Sequence, residues 1–239
     1  MPVYRYYTPE KLAGKSSVTL NEGEFHHFIH VVRGKVGDTV ELIDGLGNLA
    51  TAIASDKTRR DVTFHIENVV SAPPEKQRII IAQAYPKANR LDFILEKGTE
   101  LGMTELWLFP TEKSERKIAF DSHIHRMNVI MIAAMKQSGR LYLPQIVIKP
   151  KLPDLKEIAS LAGFFGDTDP NAPSFISCLK KEMIGIDLIF FIGPESGFTG
   201  NEAEYLHTIG VKGVKLHPNI LRTETAPLVF LSILSQLQL

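Results

Sequence analysis

The sequence contains little of what several protein classes require. It has one cysteine, Cys178, in 239 residues, which excludes an internal disulfide and a zinc site built from several thiolates. It has no uncharged apolar run of the roughly 18 residues that a membrane helix needs, and its first residues do not form the apolar stretch of a signal peptide. We therefore expect a cytoplasmic protein with no membrane partner.

The sequence also has no net charge, because Lys and Arg total 27 and Asp and Glu total 27. The charges are unevenly distributed, however. Residues 73–150 contain 12 basic and 8 acidic side chains, and a local positive excess attracts polyanions if folding gathers it on one face. A solvated surface explains the same excess, so charge alone does not establish a nucleic-acid partner.

Two familiar nucleotide-binding motifs are missing. No Gly-x-x-x-x-Gly-Lys-Ser/Thr phosphate loop occurs, and the Gly-x-Gly-x-x-Ala segment that starts at Gly45 lies between two strand-like segments. A dinucleotide site requires a helix there, so we interpret this segment as a hairpin turn. His26, His27 and His30 form a cluster without a carboxylate or thiolate at a metal-binding spacing, and we predict no metal site.

The first 70 residues have the pattern of short strands and tight turns. A hairpin is predicted around Asp44-Gly45, and Val62, Phe64 and Ile66 alternate with polar residues as in a half-buried strand. This pattern indicates a small β-barrel or sandwich. The Pro-Pro segment that begins at Pro73 interrupts it, so we place one domain at residues 1–72 and a second at 73–239.

The second domain has an α/β pattern. Apolar runs typical of parallel strands alternate with segments of helical periodicity. The predicted strands are 79–84, 106–109, 145–148, 162–165, 187–192 and 211–216, and the predicted helices include 201–207 and a strongly apolar one at 227–237. The apolar final helix implies burial in the core or against a second subunit.

The strongest chemical signal is a pair of loops that follow two predicted strands near the C-terminus. One loop begins at Gly193-Pro194-Glu195, and the other runs from His217 to Ala226. Thr199 and Glu202 have the spacing of a capping box that opens the helix after the first loop. Ligands of parallel α/β sheets bind at the carboxyl ends of the strands, so the two loops together favour a binding site.

These residues resemble the RsmE family of 16S ribosomal RNA uridine N3 methyltransferases, which belongs to the SPOUT superfamily. The matching blocks occur in order along both domains: 25–33 with 37–38, 87–102, 114–116, 137–140, 192–195 and 220–226. The resemblance implies a small N-terminal PUA-like β-barrel that binds RNA, followed by a SPOUT α/β domain with a C-terminal trefoil knot. It also implies a homodimer.

The resemblance further implies that S-adenosyl-L-methionine is bound by the loops near the C-terminus. The cofactor-binding residues expected from it are Gly166, Gly193, Pro194, Glu195, Ser196, Gly197, Leu216, His217, Pro218, Ile220, Leu221 and Arg222. We expect Arg222 to hydrogen-bond a uracil carbonyl and to stabilise charge that develops on the ring. Glu195 and Glu224 are candidates for the base, with the alternative that each carboxylate holds loop amides or Arg222.

The expected substrate is a specific uridine of 16S rRNA in the small ribosomal subunit. Basic and imidazole side chains are expected to contact this RNA, namely Arg5, His26, His27, Arg33, Lys87, Arg116, Lys136 and Arg140. The sequence departs from the family at Ser196, His217 and Asn219. These departures keep open one alternative function, a non-catalytic RNA-binding ribosome-assembly factor with the same fold. A small-molecule methyltransferase is a second alternative, although it has no evident use for the N-terminal domain.

Overall fold

The computed structural model describes residues 4–112, 120–155, 158, 161–179, 183 and 185–238. The chain forms two compact units. The first unit consists of Met1–Pro74 and Ile132–Leu143, and the second consists of Glu75–Met131 and Pro144–Leu239. The return of residues 132–143 to the first unit was not predicted. The predicted boundary after residue 72 stays a prediction.

The first unit contains one five-stranded sheet. Its strands are β1 (Arg5–Tyr7), β2 (Ser17–Asn21), β3 (Thr39–Ile43), β4 (Asn48–Lys57) and β5 (Asp61–Ser71), in the order β1-β3-β4-β5-β2. Only the β1–β3 pair is parallel. A short helix, α1 (Glu22–His26), continues into a π-helical turn, His27–Val31. The described strands of this unit form a single sheet, so the sandwich alternative is wrong.

The predicted hairpin is present between β3 and β4, where Ile43 pairs with Leu49. The buried Asp44 carboxylate shapes the turn by accepting hydrogen bonds from the main-chain N–H groups of Leu46 (2.8 Å) and Asn48 (3.2 Å). Gly45 has φ +72°, a conformation that favours glycine. The Gly-x-Gly segment is therefore a turn between strands, as predicted.

The core of the first unit lies on one face of this sheet. Alternate residues of β5, Val62, Phe64 and Ile66, are buried as their period predicts. The ring of Phe28, from the π-helical turn, packs edge-on against Phe64 at 5.3 Å, and Tyr6 of β1 lies 5.8 Å from Phe28. Aromatic packing thus anchors the helical segment onto the sheet.

The second unit contains a six-stranded sheet in which all the paired strands are parallel. Its strands are β6 (Ile79–Ala84), β7 (Glu105–Phe109), β8 (Gln145–Ile148), β9 (Ala162–Gly166), β10 (Leu188–Ile192) and β11 (Lys212–Val214). Their order is β11-β9-β10-β6-β7-β8. The parallel α/β prediction is confirmed, and the central strands β6 and β10 are buried along their whole length.

Two strand predictions need correction. The segment at 145–148 was expected to be covered on both faces, but β8 is an edge strand whose residues are all exposed or only partly buried. The last strand was expected to reach residue 216, but β11 ends at Val214. Hydrophobic periodicity reports how apolar a segment is and does not report whether it has one neighbour or two.

Beyond residue 75, the described residues contain the helices α2 (Ala88–Glu100), α3 (Phe120–Ser138), α4 (Phe175–Cys178), α5 (Gly200–Thr208) and α6 (Ala226–Gln238), with a 3₁₀ turn at Leu152–Asp154. The predicted apolar last helix is α6, which contacts α2 and β10. Phe230 stacks on Phe190 with ring centroids 4.5 Å apart. Among the described helices, none is long and apolar enough to cross a membrane.

Candidate active site

The two loops predicted to form a site meet in the second unit. One follows β10 and covers residues 193–199, and the other follows β11 and covers 215–225. The Thr223 hydroxyl, on the second loop, donates a hydrogen bond of 2.8 Å to the carbonyl oxygen of Gly193, on the first. Both loops lie at the carboxyl edge of the sheet, where ligands of parallel α/β folds bind. The juxtaposition expected from the sequence is therefore present.

The loop after β10 is compact. The Gly197 N–H donates to the Pro194 carbonyl at 2.8 Å and closes a turn over residues 194–197. A Cβ atom at Gly193 would lie 3.0 Å from the Phe198 nitrogen and 3.2 Å from the Gly197 carbonyl carbon, and both of those are main-chain atoms that cannot easily move. Glycine is therefore required at position 193 to fold the loop back on itself.

A buried glutamine joins both loops to the sheet. Gln83, near the end of β6, donates from Nε2 to the Thr223 Oγ1 (2.9 Å) and to the Ala84 carbonyl oxygen (2.9 Å). Gln83 is fully buried and Thr223 is nearly so. The three chain segments that meet here, the end of β6 and the two loops, are thus linked by side-chain hydrogen bonds.

The carboxylates of Glu195 and Glu224 share one partner, Arg90 in the first turn of α2. Arg90 Nη1 lies 2.9 Å from Glu195 Oε1, and Arg90 Nε lies 3.6 Å from Glu224 Oε2. The Lys87 main-chain N–H also donates to Glu195 Oε1, at 3.3 Å. The contacts of both carboxylates are thus with Arg90 and, for Glu195, with a main-chain N–H just before α2, and their role as base or as structural anchor stays a prediction.

Arg222 lies in the second loop and is exposed. Within the described residues its guanidinium makes no hydrogen bond or ion pair, while its carbonyl oxygen accepts from Ala226 at the start of α6 (3.0 Å). Nearby, the Ile220 side chain is 80% exposed, an unusual state for an isoleucine. The loop therefore presents a cationic group and a large apolar group to solvent.

The other residues of the predicted cofactor site lie on the same edge. Leu216, His217, Pro218 and Leu221 belong to the second loop, Ser196 lies within the turn of the first, and Gly166 ends β9. The His217 imidazole is exposed and accepts at Nδ1 from the Asn219 N–H (3.0 Å). The departure at His217 thus shapes the loop locally.

Three of the predicted RNA-contacting side chains line one cleft within the first unit. This cleft has a volume of about 580 Å³, and Arg5, His27 and Lys136 contribute to its walls. Arg5 is paired with Glu41, its register partner in β3, through Nη2 at 2.6 Å. Lys136 is paired with Glu24 at 2.6 Å. Both cations are therefore already neutralised by a neighbouring carboxylate.

The remaining predicted RNA contacts are scattered. Arg33 and Lys87 are exposed, and neither side chain has an ion-pair partner among the residues that the structure describes. The rings of His26 and His30 pack 4.7 Å apart, and the described residues contain no group of three or more side chains arranged to hold a metal. Arg140 has a partner in the structure. Arg116 lies outside the described residues.

Two residues of the site were missed from the sequence, Gln83 and Arg90. Gln83 is the only polar residue within the apolar run 79–84, which was a usable signal because an uncompensated amide in a central strand is costly. Arg90 gave no such signal, since an arginine at the start of an amphipathic helix is typical of a solvated position.

A parallel α/β sheet with glycine-containing loops joined at its carboxyl edge, in a chain that also contains a small β-domain, is typical of two-domain proteins that bind a nucleotide or a cofactor. Comparison with known families identifies which one. Residues 73–235 match the model of the RNA methyltransferase domain, and residues 20–67 match that of the RNA methyltransferase PUA domain. The chain belongs to the RNA methyltransferase family, with a PUA-like domain and a SPOUT-type methyltransferase domain, as its resemblance to RsmE proteins indicated.

Relatives of known name match along nearly the whole chain. The ribosomal RNA small subunit methyltransferase E of Rickettsia conorii is 27% identical over 229 residues, which cover 95% of this chain and 92% of that protein. The protein of the same name from Bacillus subtilis is 26% identical over 250 residues, and the match covers 97% of this chain and 95% of that protein. The crystal structure of the Neisseria gonorrhoeae ribosomal RNA small subunit methyltransferase E bound to S-adenosyl methionine superposes with a TM-score of 0.86, at 26% identity and 98% coverage of both chains.

Proposed function

We propose that this protein transfers a methyl group from S-adenosyl-L-methionine to N3 of a specific uridine in 16S rRNA of the small ribosomal subunit, in the cytoplasm. The observation that carries the proposal is the hydrogen bond between Thr223 and Gly193, which joins the two loops at the carboxyl edge of the sheet. Support for the substrate and the methyl donor comes from the relatives, which are named for the small subunit RNA and include a structure bound to the donor.

The residues of the two loops suit S-adenosyl-L-methionine. In the loop at 193–197, no described atom lies within 4 Å of where a Cβ of Gly197 would be, so the main chain at Gly197 is open to close approach by a ligand. Leu216, Pro218 and Leu221 supply apolar groups suited to an adenine ring, and the exposed Ile220 belongs to the same loop. The methyl donor, when bound, supplies a methyl group on a sulfonium, and the protein orients the acceptor and excludes water.

Arg222 is the catalytic residue of the proposed reaction. Its exposed guanidinium, which the described residues leave without a partner, is suited to donate hydrogen bonds to a uracil carbonyl oxygen. Loss of the N3 proton places negative charge on that oxygen, and a cationic donor stabilises the charge as it develops. The N3 proton passes to a base, for which Glu195 and Glu224 are the candidates. Glu195 Oε1 lies 2.9 Å from Arg90 Nη1, whereas Glu224 Oε2, 3.6 Å from Arg90 Nε, has no hydrogen-bond partner among the described residues.

Several finer features of the proposal rest on the family alone. They are the trefoil knot in the C-terminal part of the second domain, the closure of the N-terminal sheet into a PUA-like barrel, and the homodimer. The proposed domain boundary between residues 72 and 73 is supported by the Pro-Pro segment that begins at Pro73. RNA is proposed to contact exposed cations such as Arg33 and Lys87 and the cleft lined by Arg5, His27 and Lys136. The target base is splayed out of its stack to reach the loops.

The proposal is tested with 16S rRNA from a strain that lacks the gene. The purified protein and labelled S-adenosyl-L-methionine are expected to add one methyl, mapped by mass spectrometry to uracil N3. Arg222→Ala is expected to lower turnover by about 10²- to 10³-fold, the effect of losing one donor to a developing oxyanion, while S-adenosylhomocysteine binds normally by calorimetry.

Each alternative has its own outcome. Wild-type protein that binds RNA but not S-adenosylhomocysteine is the non-catalytic assembly factor. Methylation of a different atom overturns the N3 assignment and leaves the enzyme class intact. Wild-type turnover in Arg222→Ala removes Arg222 from the mechanism. Transfer to small molecules with no transfer to rRNA identifies a small-molecule methyltransferase.

A further inference from the structure

Gln83 is the only polar residue of the buried strand that contains it. It lies in β6, at the centre of the parallel sheet, opposite Ile192 of β10 and Leu108 of β7. It is 0% exposed, and the other five residues of β6 are buried Ile or Ala. Burial of an amide in such a place costs free energy unless its polar atoms are hydrogen-bonded.

The orientation of the Gln83 amide is fixed by its partners. The Thr223 hydroxyl donates its proton to the Gly193 carbonyl, so its oxygen must accept from Gln83 Nε2. The other groups on the same side, the carbonyl oxygens of Ala84 (2.9 Å) and Gly193 (3.5 Å), are acceptors too. Rotation of the amide by 180° would place Oε1 against these oxygens, so Nε2 must face the loops.

Within the described part of the chain, the oxygen end of the Gln83 amide makes no hydrogen bond that would stabilise the folded state. Gln83 Oε1 is buried and has no hydrogen-bond partner among the described residues. A buried acceptor left unpaired is destabilising, and an apolar side chain of similar shape would avoid that penalty. The stability of the strand therefore does not explain why a glutamine lies here. The hydrogen bonds from Nε2 to Thr223 on the second loop and to Gly193 on the first loop do explain it.

We infer that Gln83 is a positioning residue for the methyl donor: through Thr223 and Gly193 it sets the spacing of the two loops that bind the donor. This inference rests on the proposed function. Gln83 itself needs no contact with the ligand, because its effect is transmitted by Thr223, which hydrogen-bonds both Gln83 and the first loop.

The test compares affinity and stability in the full-length protein. Gln83→Met keeps the length of the side chain and removes both polar atoms. We expect it to lower the affinity for S-adenosylhomocysteine by about tenfold in calorimetry, the equivalent of roughly one lost hydrogen bond. Its melting temperature is expected to stay within about 3 °C of the wild type. A purely structural residue would lose stability and affinity together.

Thr223 supplies a second, independent pair of variants. Thr223→Val is similar in shape and lacks the hydroxyl, so we expect the same loss of affinity, and Thr223→Ser, which keeps the hydroxyl, is expected to restore binding. Thr99→Val is the matched control. Thr99 is also fully buried in the second unit, and its hydroxyl donates to the Leu95 carbonyl within α2 (2.7 Å), away from the loops.

The outcomes separate this inference from the proposed function. Wild-type protein that fails to bind S-adenosylhomocysteine overturns the proposed function. Wild-type binding combined with normal affinity in Gln83→Met or in Thr223→Val overturns the positioning role alone. If Gln83→Met does not fold, the two Thr223 variants test the inference instead. It is overturned if Thr223→Ser fails to restore the affinity for S-adenosylhomocysteine, or if Thr99→Val loses as much affinity as Thr223→Val, because either result shows a purely structural role.

Discussion

Tyr6 shows how one buried hydroxyl links the stability of the first unit to pH. Its side chain is fully buried, and its hydroxyl has no hydrogen-bond partner among the described residues. Burial, and secondly the charge of Glu24, raise the pKa of Tyr6 well above its usual value. The folded state therefore holds this proton more tightly than the unfolded state. The resulting stability is complete below the unfolded pKa of about 10 and is lost as pH rises above it.

Tyr6→Phe is expected to be nearly neutral at pH 7, because it removes an unpaired buried hydroxyl and keeps the ring. Above about pH 10, the wild type is expected to lose about 1 kcal/mol per pH unit through Tyr6, and the variant is expected to lose less. Urea denaturation of both proteins at pH 7 and between pH 9 and 11 measures the difference.

The control for this prediction is Tyr7→Phe in the neighbouring position. Burial, and then the charge of Asp44, also raise the pKa of Tyr7, but Tyr7 is only partly buried, so we expect a smaller change in the alkaline slope. Parallel alkaline slopes in wild type and Tyr6→Phe would contradict the role given to Tyr6.

The capping box of α5 controls the element that follows the first loop of the site. The Thr199 Oγ1 accepts from the Glu202 N–H (3.3 Å), and Glu202 Oε2 accepts from the Thr199 N–H (2.8 Å). The buried Glu202 also accepts from the Glu112 N–H through Oε1 (3.0 Å). One carboxylate thus fixes both the start of α5 and the chain after β7.

Thr199→Ala is expected to lower the free energy of unfolding by about 1 kcal/mol, the usual cost of losing an N-cap. Thr208→Ala, at the other end of α5, is the matched control, since the exposed Thr208 hydroxyl donates only to the Tyr205 carbonyl in the same turn. Chemical denaturation of the two variants measures the contrast. Equal losses in both would show that the cap contributes no more than any surface threonine.

The same elements show how far the sequence predicts the structure. The capping box, the hairpin at Asp44 and the apolar run of each strand in the parallel sheet are local in sequence, and all were predicted. The exposure of β8 and the return of residues 132–143 to the first unit were not, because both depend on contacts between distant segments. The site follows the same rule: the loops were predicted from glycines and strand ends, whereas the link from Arg90 to Glu195 and Glu224 spans more than 100 residues of sequence.

At the scale of the whole molecule, the positive charges divide into two kinds. Arg5 and Lys136 are part-buried and paired with carboxylates, so much of their charge is neutralised within the first unit. Arg33 and Lys87 are exposed, and the described part of the chain gives neither an ion-pair partner. A phosphate gains most from a cation that has no competing carboxylate. We therefore assign most of the salt-dependent RNA affinity to the exposed cations Arg33 and Lys87, which are unpaired within the described residues.

Arg33→Gln and Lys87→Gln are each expected to weaken binding to 16S rRNA and to reduce the slope of log K against log salt by about 1, the effect of losing one phosphate contact. The charge-paired Lys136 is expected to contribute less, so Lys136→Gln should change the slope by a smaller amount while costing about 1 kcal/mol of stability.

Lys212→Gln is the control, because Lys212 is exposed at the amino end of β11, the edge opposite the loops. Filter binding across 50–200 mM salt, a range in which phosphate contacts dominate the change in affinity, separates these cases. A slope that changes with Lys136→Gln or Lys212→Gln as much as with Arg33→Gln would show that RNA senses the total charge of the protein and not these two exposed positions.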